Sequence, residues 1–381
     1  MKKANITSIL LLSLLVLGLI TNIYRAQAGN DDEVSENTLT TSVLETNGFN
    51  YSKIEDYIRK NYETTSGIEW LREKIELLII ARDEDHVVAM TPLAEWKTTK
   101  GVPAKIVNSS EYLQYEGFDV VEKIRNCIKD YYNKYGIKWV LLAGDANIIP
   151  MREVYNPDSA ILDDFSEWSG SEYYKPTDFY YAELTGNWDS NGNGIFGESQ
   201  RYSRIDEIDW NTEVYVGRFP GSTASELEVM VNKTINYEKN PLIGEWMNDI
   251  LLSGAVQGRI NSEDSDGEEE SFLVEQIIAE SIPSSMDITK LIETNHPIPG
   301  FRWTNFTRSL FNQYIDSGSS IVFYAGHGSP NSFDGLYAQP NFYTKYDALD
   351  SLNERKHTLF YADACSTSFI DGSSVCSSSS I

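Results

Sequence analysis

The sequence contains two short apolar runs, each followed by a side chain that can act as an acid, a base or a nucleophile. Ile321–Tyr324 precedes Ala-Gly-His327, and Thr358–Tyr361 precedes Ala-Asp-Ala-Cys365. Both runs have the length and the β-branched and aromatic content of buried strands. In a parallel α/β sheet, functional groups collect at the carboxyl ends of the strands. If the two strands are neighbours, His327 and Cys365 can meet there, and a thiol beside an imidazole is a nucleophile beside its base.

Strand and helix patterns alternate along most of the chain, which predicts an α/β fold: a mostly parallel sheet with helices on both faces, in two lobes. A chain of 381 residues with 41% hydrophobic content is long enough for such a unit. Besides the two runs above, strands are predicted at 86–90, 104–107, 137–145, 213–219, 249–256 and 286–292. Helices are predicted at 67–82, 93–100, around Cys127, at 223–238, 271–282, 303–316 and 344–353.

The chain divides into four predicted segments. Residues 1–28 have the charged start, apolar stretch and Ala26-Gln27-Ala28 site of a secretory signal peptide, with an uncleaved anchor as the alternative. No other stretch approaches a membrane span, so no stable span is expected after cleavage. Residues 29–83 are interpreted as a leader or propeptide, 84–241 as a first α/β lobe, and 242–381 as a second lobe carrying His327 and Cys365. The expected location is secreted or at the cell surface.

The charge of the chain restricts its partners. The formal net charge is −26 and the pI is near 4.5, which argues against nucleic acid and anionic membrane surfaces. The acidity is compatible with calcium and with basic substrates. A surface kept soluble by excess acid is the alternative interpretation.

The sequence has three cysteines, a number that does not make a disulfide framework. Cys127 lies on the apolar face of a predicted helix and is interpreted as a buried core thiol. Cys376 lies in a serine-rich stretch. A stable bridge between Cys365 and Cys376 would block the predicted nucleophile.

Other catalytic patterns are missing from the sequence: it has no His-Glu-x-x-His, no Gly-x-Ser-x-Gly and no phosphate-binding loop. Of the four histidines, His86 is interpreted as structural, His296 as a loop residue, and His357 as lying at the wrong end of its strand. His327 remains as the candidate acid and base. The backbone N–H groups of Gly328 and Cys365 are the candidates for an oxyanion hole.

A calcium loop is predicted in the polar insertion between residues 144 and 213. Oxygen-bearing side chains alternate along Asp189-Ser-Asn-Gly-Asn-Gly-Ile-Phe-Gly-Glu198, and glycines permit a sharp turn. The spacing differs from that of an EF-hand, and an ordinary Asn-Gly turn is the alternative. The predicted ligands are Asp189, Asn191, Asn193, Glu198 and the carbonyl of Ile195.

Several collinear stretches resemble the gingipain family of cysteine peptidases, within the caspase-like clan. They cover roughly residues 84–370 and are Trp139–Asp145, Ile149-Pro150, Val216–Phe219, Thr234–Glu238, Tyr324–Ser329 and Ala362–Cys365. The resemblance implies a caspase-like three-layer α/β/α fold, a His–Cys dyad, bound calcium, and endopeptidase activity that is often specific for a basic residue before the cut.

The chain departs from the family pattern at two places and ends early. The carboxylate that orients the histidine in gingipains has no counterpart in residues 253–258. An acid that binds the basic substrate side chain is expected nearby, and Glu268, Glu269 and Glu270 are the candidates, with a solvated acidic loop as the alternative. Family members continue beyond the point where this sequence stops, so the second lobe is expected to be truncated. Two hypotheses follow: a secreted calcium-binding cysteine endopeptidase acting on proteins or peptides, or an inactive or truncated relative acting as an extracellular binding or adhesion module.

Overall fold

The structure is a computed structural model in which two parallel sheets carry the fold. It describes residues 74–155, 174–200, 203–204, 206–255, 273–274, 281–293, 306–335, 341–353 and 355–365, with Thr367 and Ile370. The predicted signal peptide, residues 29–73 of the leader, the helix at 271–282 over most of its length, Glu268–Glu270, His296 and Cys376 lie outside the described residues. A search of the described part finds no helix with the length and apolar character needed to cross a membrane.

In the first sheet the described strands run in the order β2-β1-β3-β8, and all their pairings are parallel. The strands are β1 (Leu77–Ala81), β2 (Ala104–Val107), β3 (Trp139–Ala143) and β8 (Tyr215–Phe219). Every residue of β1 is buried. A continuous apolar strand of this kind is expected where helices cover both faces of a parallel sheet.

Three long helices cover this sheet, and each begins at a side-chain cap. They are α1 (Glu84–Thr99), α3 (Val120–Tyr135) and α5 (Ala224–Lys239), with the short α2 (Ser109–Tyr112) between the first two. Asp83 and Asp119 accept backbone N–H bonds at the starts of α1 and α3. Thr223 and Glu226 form the predicted capping box of α5.

Two of the predicted elements are wrong. Residues 86–90 lie inside α1 and are not a strand, because Asp83 caps a helix that begins at Glu84. The predicted helix at 67–82 overlaps β1, the strand Leu77–Ala81, which pairs with two neighbours in the first sheet. Its apolar spacing fits a helix, but its last residues are a run of large aliphatic side chains that fills the centre of the sheet.

The insertion between β3 and β8 is built from small elements. The strands β4 (Arg152–Tyr155) and β5 (Tyr174–Thr177) pair antiparallel, and so do β6 (Ser199–Gln200) and β7 (Ser203–Arg204). The helix α4 (Phe179–Ala182) buries Tyr180 and Tyr181 against the sheet core.

The described strands of the second sheet run in the order β10-β9-β11-β15, again all parallel. They are β9 (Asp249–Gly254), β10 (Asp287–Ile292), β11 (Ile321–Ala325) and β15 (Leu359–Asp363). The 3-10 turn Glu245–Met247 leads into β9. The two apolar runs that precede His327 and Cys365 are therefore neighbouring strands, which is the condition under which the two residues can meet.

One face of this sheet carries an aromatic core. The helix α6 (Arg308–Ser317) contributes Phe311, whose ring lies 5.4 Å from that of Phe342. Between β11 and β15 the chain forms a small antiparallel sheet of β12 (His327–Ser329), β13 (Ser332–Asp334) and β14 (Tyr343–Thr344), followed by α7 (Lys345–Asp350). Phe333 of β13 and Phe360 of β15 stack at 5.4 Å within the same core.

Candidate active site

The parallel register of β11 and β15 brings the two predicted catalytic residues to the same edge of the sheet. Ala325 pairs with Asp363 in the last row of the ladder. His327 and Cys365 each lie two residues beyond that row, on adjacent strands. The first residue past the strand is also tied down, because the Gly326 N–H donates to the Asp363 carbonyl at 3.1 Å.

Gly328 packs directly against the turn that carries Cys365. A Cβ atom placed on Gly328 would lie 2.6 Å from the Cys365 carbonyl oxygen and 2.8 Å from Cβ of Ala364. It would also meet Cγ2 of Thr367 at 2.5 Å, and Thr367 is itself buried. Only a residue without a side chain fits here, so the backbone next to His327 touches the backbone at Cys365. The N–H groups of Gly328 and Cys365, which the sequence predicts for the oxyanion hole, belong to the two turns that meet here.

The hydroxyl of Tyr324 fixes the hairpin that carries His327. Tyr324 is fully buried, and its hydroxyl lies 2.9 Å from the His327 carbonyl and 2.9 Å from the Asp334 carbonyl. His327 and Asp334 are opposite each other in the β12–β13 pairing, so one buried hydroxyl holds both ends of the hairpin. The sequence gives no signal for this contact, since it depends on the return of the chain at Asp334, ten residues after Tyr324.

The two described cysteines differ in access and in chemistry. Cys365 is a free, exposed thiol, whereas Cys127 is a free thiol with no exposed surface. Burial, with the nearby Glu111 carboxylate, raises the pKa of the Cys127 thiol to about 12. Cys127 is thus the buried core residue that the sequence predicts, and Cys365 is the thiol that a substrate can reach.

The other described histidines lie away from this edge. His357 precedes β15 and lies at its amino end, and burial followed by the charges of Lys233 and Arg355 lowers its pKa. His86 is buried in α1 with its Nδ1 2.7 Å from Asp83 Oδ1. Among the described histidines, His327 alone follows a strand that pairs with the strand leading to Cys365.

The region expected to supply an orienting acid, residues 253–258, is described as far as Ala255. Ser253 is fully buried, and its hydroxyl donates to the Phe323 carbonyl at 2.9 Å. This contact joins β9 to β11. The acidic candidates Glu268, Glu269 and Glu270 lie outside the described residues.

The predicted calcium loop closes around its own polar side chains. The amides of Asn191 and Asn193 lie 2.9 Å and 2.8 Å from Oε2 of Glu198. The two oxygens of Asp189 accept the N–H groups of Asn193 and Gly194. Gly192 and Gly194 have φ angles of 71° and 81°, in the left-handed region that favours glycine. The side chains of Asp189, Asn191, Asn193 and Glu198 therefore face one another across one tight loop.

The donor set of this loop fits a hard cation. Among the described residues, no group of three or more His, Cys, Asp and Glu side chains is arranged to hold a metal. A cation here would therefore need the amide oxygens of Asn191 and Asn193 and the carbonyl of Ile195 beside the carboxylates of Asp189 and Glu198. Mixed carboxylate, amide and carbonyl oxygens are what calcium takes in proteins.

Asp206 supports this loop through its backbone and is missed by the sequence motif. It is buried, and its carboxylate accepts the N–H groups of Ser190 and Glu198, both at 2.7 Å. Burial raises its pKa despite these two bonds. Asp206 follows the motif after a further pair of short strands, so the ligand spacing gives no signal for it.

Comparison with known proteins shows the family of this chain. The family model described as peptidase family C25 matches residues 71–380. Gingipain R2 of Porphyromonas gingivalis is 21% identical over 307 residues, which are 79% of this chain and 34% of that protein. Gingipain R1 of the same organism is 22% identical over 242 residues, 63% of this chain and 19% of that protein. The chain thus spans less than two thirds of the length of the curated relatives it matches.

Solved structures agree in fold. The crystal structure of the Arg-specific cysteine proteinase gingipain R superimposes with a TM-score of 0.53 at 18% identity, over 79% of this chain and 57% of that chain. The complex of the pro- and mature domains of Porphyromonas gingivalis RgpB gives a TM-score of 0.52 at 18% identity, over 76% and 55% of the two chains. The predicted caspase-like α/β fold is therefore confirmed.

Proposed function

This chain belongs to peptidase family C25, and we propose that it is a cysteine endopeptidase with Cys365 as its nucleophile and His327 as its acid and base. The observation that carries the proposal is the register of β11 and β15, in which Ala325 pairs with Asp363. Two residues beyond that pair stand an imidazole and an exposed thiol on neighbouring strands. This is the arrangement in which an imidazole can activate a thiol.

The proposed reaction has two steps. His327 accepts the proton of the Cys365 thiol, and the thiolate attacks the scissile carbonyl carbon, while backbone N–H groups of Gly328 and Cys365 donate to the developing oxyanion. The C–N bond breaks as His327 returns the proton to the leaving amine. A water molecule, deprotonated by His327, then cleaves the thioester and releases the new carboxyl terminus. Exposure of Cys365 gives the substrate access to the nucleophile.

The proposed substrates are proteins or peptides with an Arg or Lys residue before the cut. One structural neighbour, gingipain R, is an Arg-specific proteinase, and the net charge of −26 on this chain favours a basic partner. Glu268, Glu269 and Glu270 remain the candidates for the acid that binds the basic side chain. Secretion or display at the cell surface is proposed from the sequence of residues 1–28 and from the relationship to gingipains.

Calcium is proposed as a structural ligand of the loop Asp189–Glu198. The supporting observation is that the Asn191 and Asn193 side-chain amides donate to the Glu198 carboxylate and that the Asp189 carboxylate accepts the Asn193 N–H, which gathers these side chains in one loop. A bound cation would cross-link the loop and hold the long insertion against the first sheet. It would supply no step of the peptidase reaction.

The proposed function is tested by incubating the purified chain with a peptide library in reducing buffer and calcium, and identifying the cleaved bonds by mass spectrometry. We expect cleavage after Arg or Lys, and none with Cys365→Ala or His327→Ala. His357→Ala is the matched control, because it removes an imidazole at the opposite end of the strand that leads to Cys365. Absence of cleavage by the folded chain would contradict the proposal and favour the extracellular binding module.

A further inference from the structure

A buried carboxylate lies at the same edge of the second sheet, on the far side from Cys365. Glu293 directly follows β10, and only 4% of its surface is exposed. Its backbone N–H donates to the Gly254 carbonyl at 2.9 Å. Burying a carboxylate costs free energy. The burial of Glu293 therefore needs a structural reason, which the position of a solvent-exposed acid would not.

Glu293 stands in the same row across the sheet as the residues that lead into the site. Ile292 pairs with Gly254, Gly254 pairs with Ala325, and Ala325 pairs with Asp363. The residues that follow this row therefore form the next row across the sheet. They include Glu293 after β10 and Gly326 after β11. His327 lies one residue further along.

The carboxylate of Glu293 lies against the end of the hairpin that carries His327. A Cβ atom placed on Gly335 would lie 2.6 Å from Oε2 and 2.8 Å from Oε1 of Glu293. Gly335 follows Asp334, which is paired with His327 in the hairpin. Both carboxylate oxygens thus occupy the space that a side chain at Gly335 would need, just past the point where the hairpin leaves its pairing with His327.

We propose that Glu293 is a positioning residue of the active site: its buried carboxylate fixes the backbone at Gly335 and, through the pairing of Asp334 with His327, the place of the imidazole. The hairpin is then held at two points, by the Tyr324 hydroxyl under its paired ends and by Glu293 at its exit. This inference rests on the proposed peptidase function, in which His327 must stay beside Cys365.

The test is a double-substitution cycle of Glu293→Ala and Gly335→Ala, with Asp287→Asn as the control. Asp287 is an exposed acid at the opposite end of the same strand. We expect Glu293→Ala to lower kcat at least tenfold with less than a threefold change in KM, and Asp287→Asn to change neither. Gly335→Ala should lower kcat at least fivefold in the parent chain but less than twofold in Glu293→Ala, since its methyl group then has room.

A second measurement does not require turnover of a peptide. The rate of alkylation of Cys365 by iodoacetamide is followed from pH 5 to pH 9 in the parent chain, Glu293→Ala, Glu293→Gln and His327→Ala. We expect the pH profile of the alkylation rate in Glu293→Ala to shift toward that of His327→Ala. The profile of Glu293→Gln should lie between those of the parent chain and Glu293→Ala. Circular dichroism identifies any variant that fails to fold.

The outcomes separate the two proposals. If the parent chain cleaves no peptide, the proposed function fails, while the alkylation profiles still report on the link from Glu293 to His327. Identical profiles for folded Glu293→Ala and the parent chain, or strictly additive effects in the double-substitution cycle, would overturn the role of Glu293. Loss of activity in folded Glu293→Ala through KM alone would also overturn it, because that result would place Glu293 in substrate binding.

Discussion

Gly328 lies so close to Cys365 that a Cβ on the glycine would be 2.6 Å from the cysteine carbonyl oxygen. The contact joins the residue after the proposed base to the proposed nucleophile, although the two are far apart in the sequence. It is made possible by the parallel pairing of β11 with β15. The distance between the two reactive residues therefore depends in part on this contact between their turns.

The first prediction is that Gly328→Ala lowers kcat/KM at least tenfold. The added methyl group must push the Cys365 turn away from His327, and its neighbours, a backbone carbonyl and Cβ of Ala364, cannot rotate aside. Gly217→Ala is the matched control, because a Cβ there meets no atom within 4 Å. Steady-state kinetics of both variants check the prediction, and equal activity in the two would contradict it.

The second prediction concerns the hydroxyl under the hairpin. Tyr324→Phe removes the donor shared by the carbonyls of His327 and Asp334, and we expect it to cost about 1 kcal/mol of the free energy of unfolding. We expect a larger effect on kcat, at least fivefold, because the hairpin carries His327. Urea unfolding and kinetics measure the two effects. Tyr361→Phe, on the neighbouring strand, is the control. An equal loss of kcat in both variants would contradict a specific role of the Tyr324 hydroxyl.

The third prediction concerns the dependence of stability on pH. Burial raises the pKa of Asp119, but the hydrogen bonds and charge of Arg152, together with the backbone N–H groups of Glu122 and Val121, outweigh burial, so that the net shift is downward. Two guanidinium nitrogens of buried Arg152 lie 2.7 Å and 2.8 Å from this carboxylate. A lowered folded-state pKa means that the stabilisation is complete above the ordinary carboxyl pKa of about 3.9, and is lost as the pH falls through the folded-state pKa.

Asp119→Asn should therefore lower the free energy of unfolding by about 2 kcal/mol at pH 7. This loss is smaller than that expected for a fully buried ion pair, because Asp119 is partly exposed. The asparagine keeps a capping oxygen for α3, so the loss reports the ion pair. The difference should shrink as the pH falls below 4. Urea unfolding at several pH values measures it, with Lys134→Gln, which removes an exposed ion pair, expected to change nothing. A constant difference down to pH 2 would contradict the assignment.

The fourth prediction concerns calcium. Millimolar calcium should raise the Tm of the parent chain, since a ligand that binds only the folded state stabilises it, and chelation should reverse the shift. Asp189→Asn and Glu198→Gln should abolish the response, whereas Glu228→Gln, which removes one exposed acidic charge from α5, should keep it. Differential scanning fluorimetry gives the readout. An equal calcium response in all four proteins would rule out this loop as the site.

The sequence predicts the elements whose apolar runs are short and flanked by turn residues. The strands at 104–107, 321–325 and 359–363 lie where the pattern places them, and so does the capping box at Thr223. The prediction is wrong at β1 because Ile75 and Leu78 also fit a helical spacing. It is wrong at residues 86–90 because two adjacent valines favour a strand when only a few residues are considered, whereas Asp83 caps a helix. A cap that accepts from a backbone N–H three residues later is the better signal there.

The candidate site is predictable in part. His327 and Cys365 are predictable because each comes just after a predicted strand. In a parallel sheet, functional residues collect at the carboxyl ends of the strands, and applying this rule requires only the order of the elements. Tyr324, Asp206 and Glu293 could not be found that way. Each acts through a backbone group that the fold brings near: carbonyls for Tyr324, N–H groups for Asp206, and the bare backbone of Gly335 for Glu293. Such contacts depend on three-dimensional position, which a pattern of residue types does not contain.

The pairing of His327 with Cys365 is tested most directly by covalent labelling with an Arg- or Lys-directed acyloxymethyl ketone in the presence of calcium, followed by peptide mapping. We expect modification of Cys365 and none of buried Cys127 in the folded chain. We also expect His327→Ala to abolish the labelling and His357→Ala to leave it unchanged. Labelling of Cys365 at an unchanged rate in His327→Ala, or no labelling of folded protein, would contradict a peptidase built on these two residues.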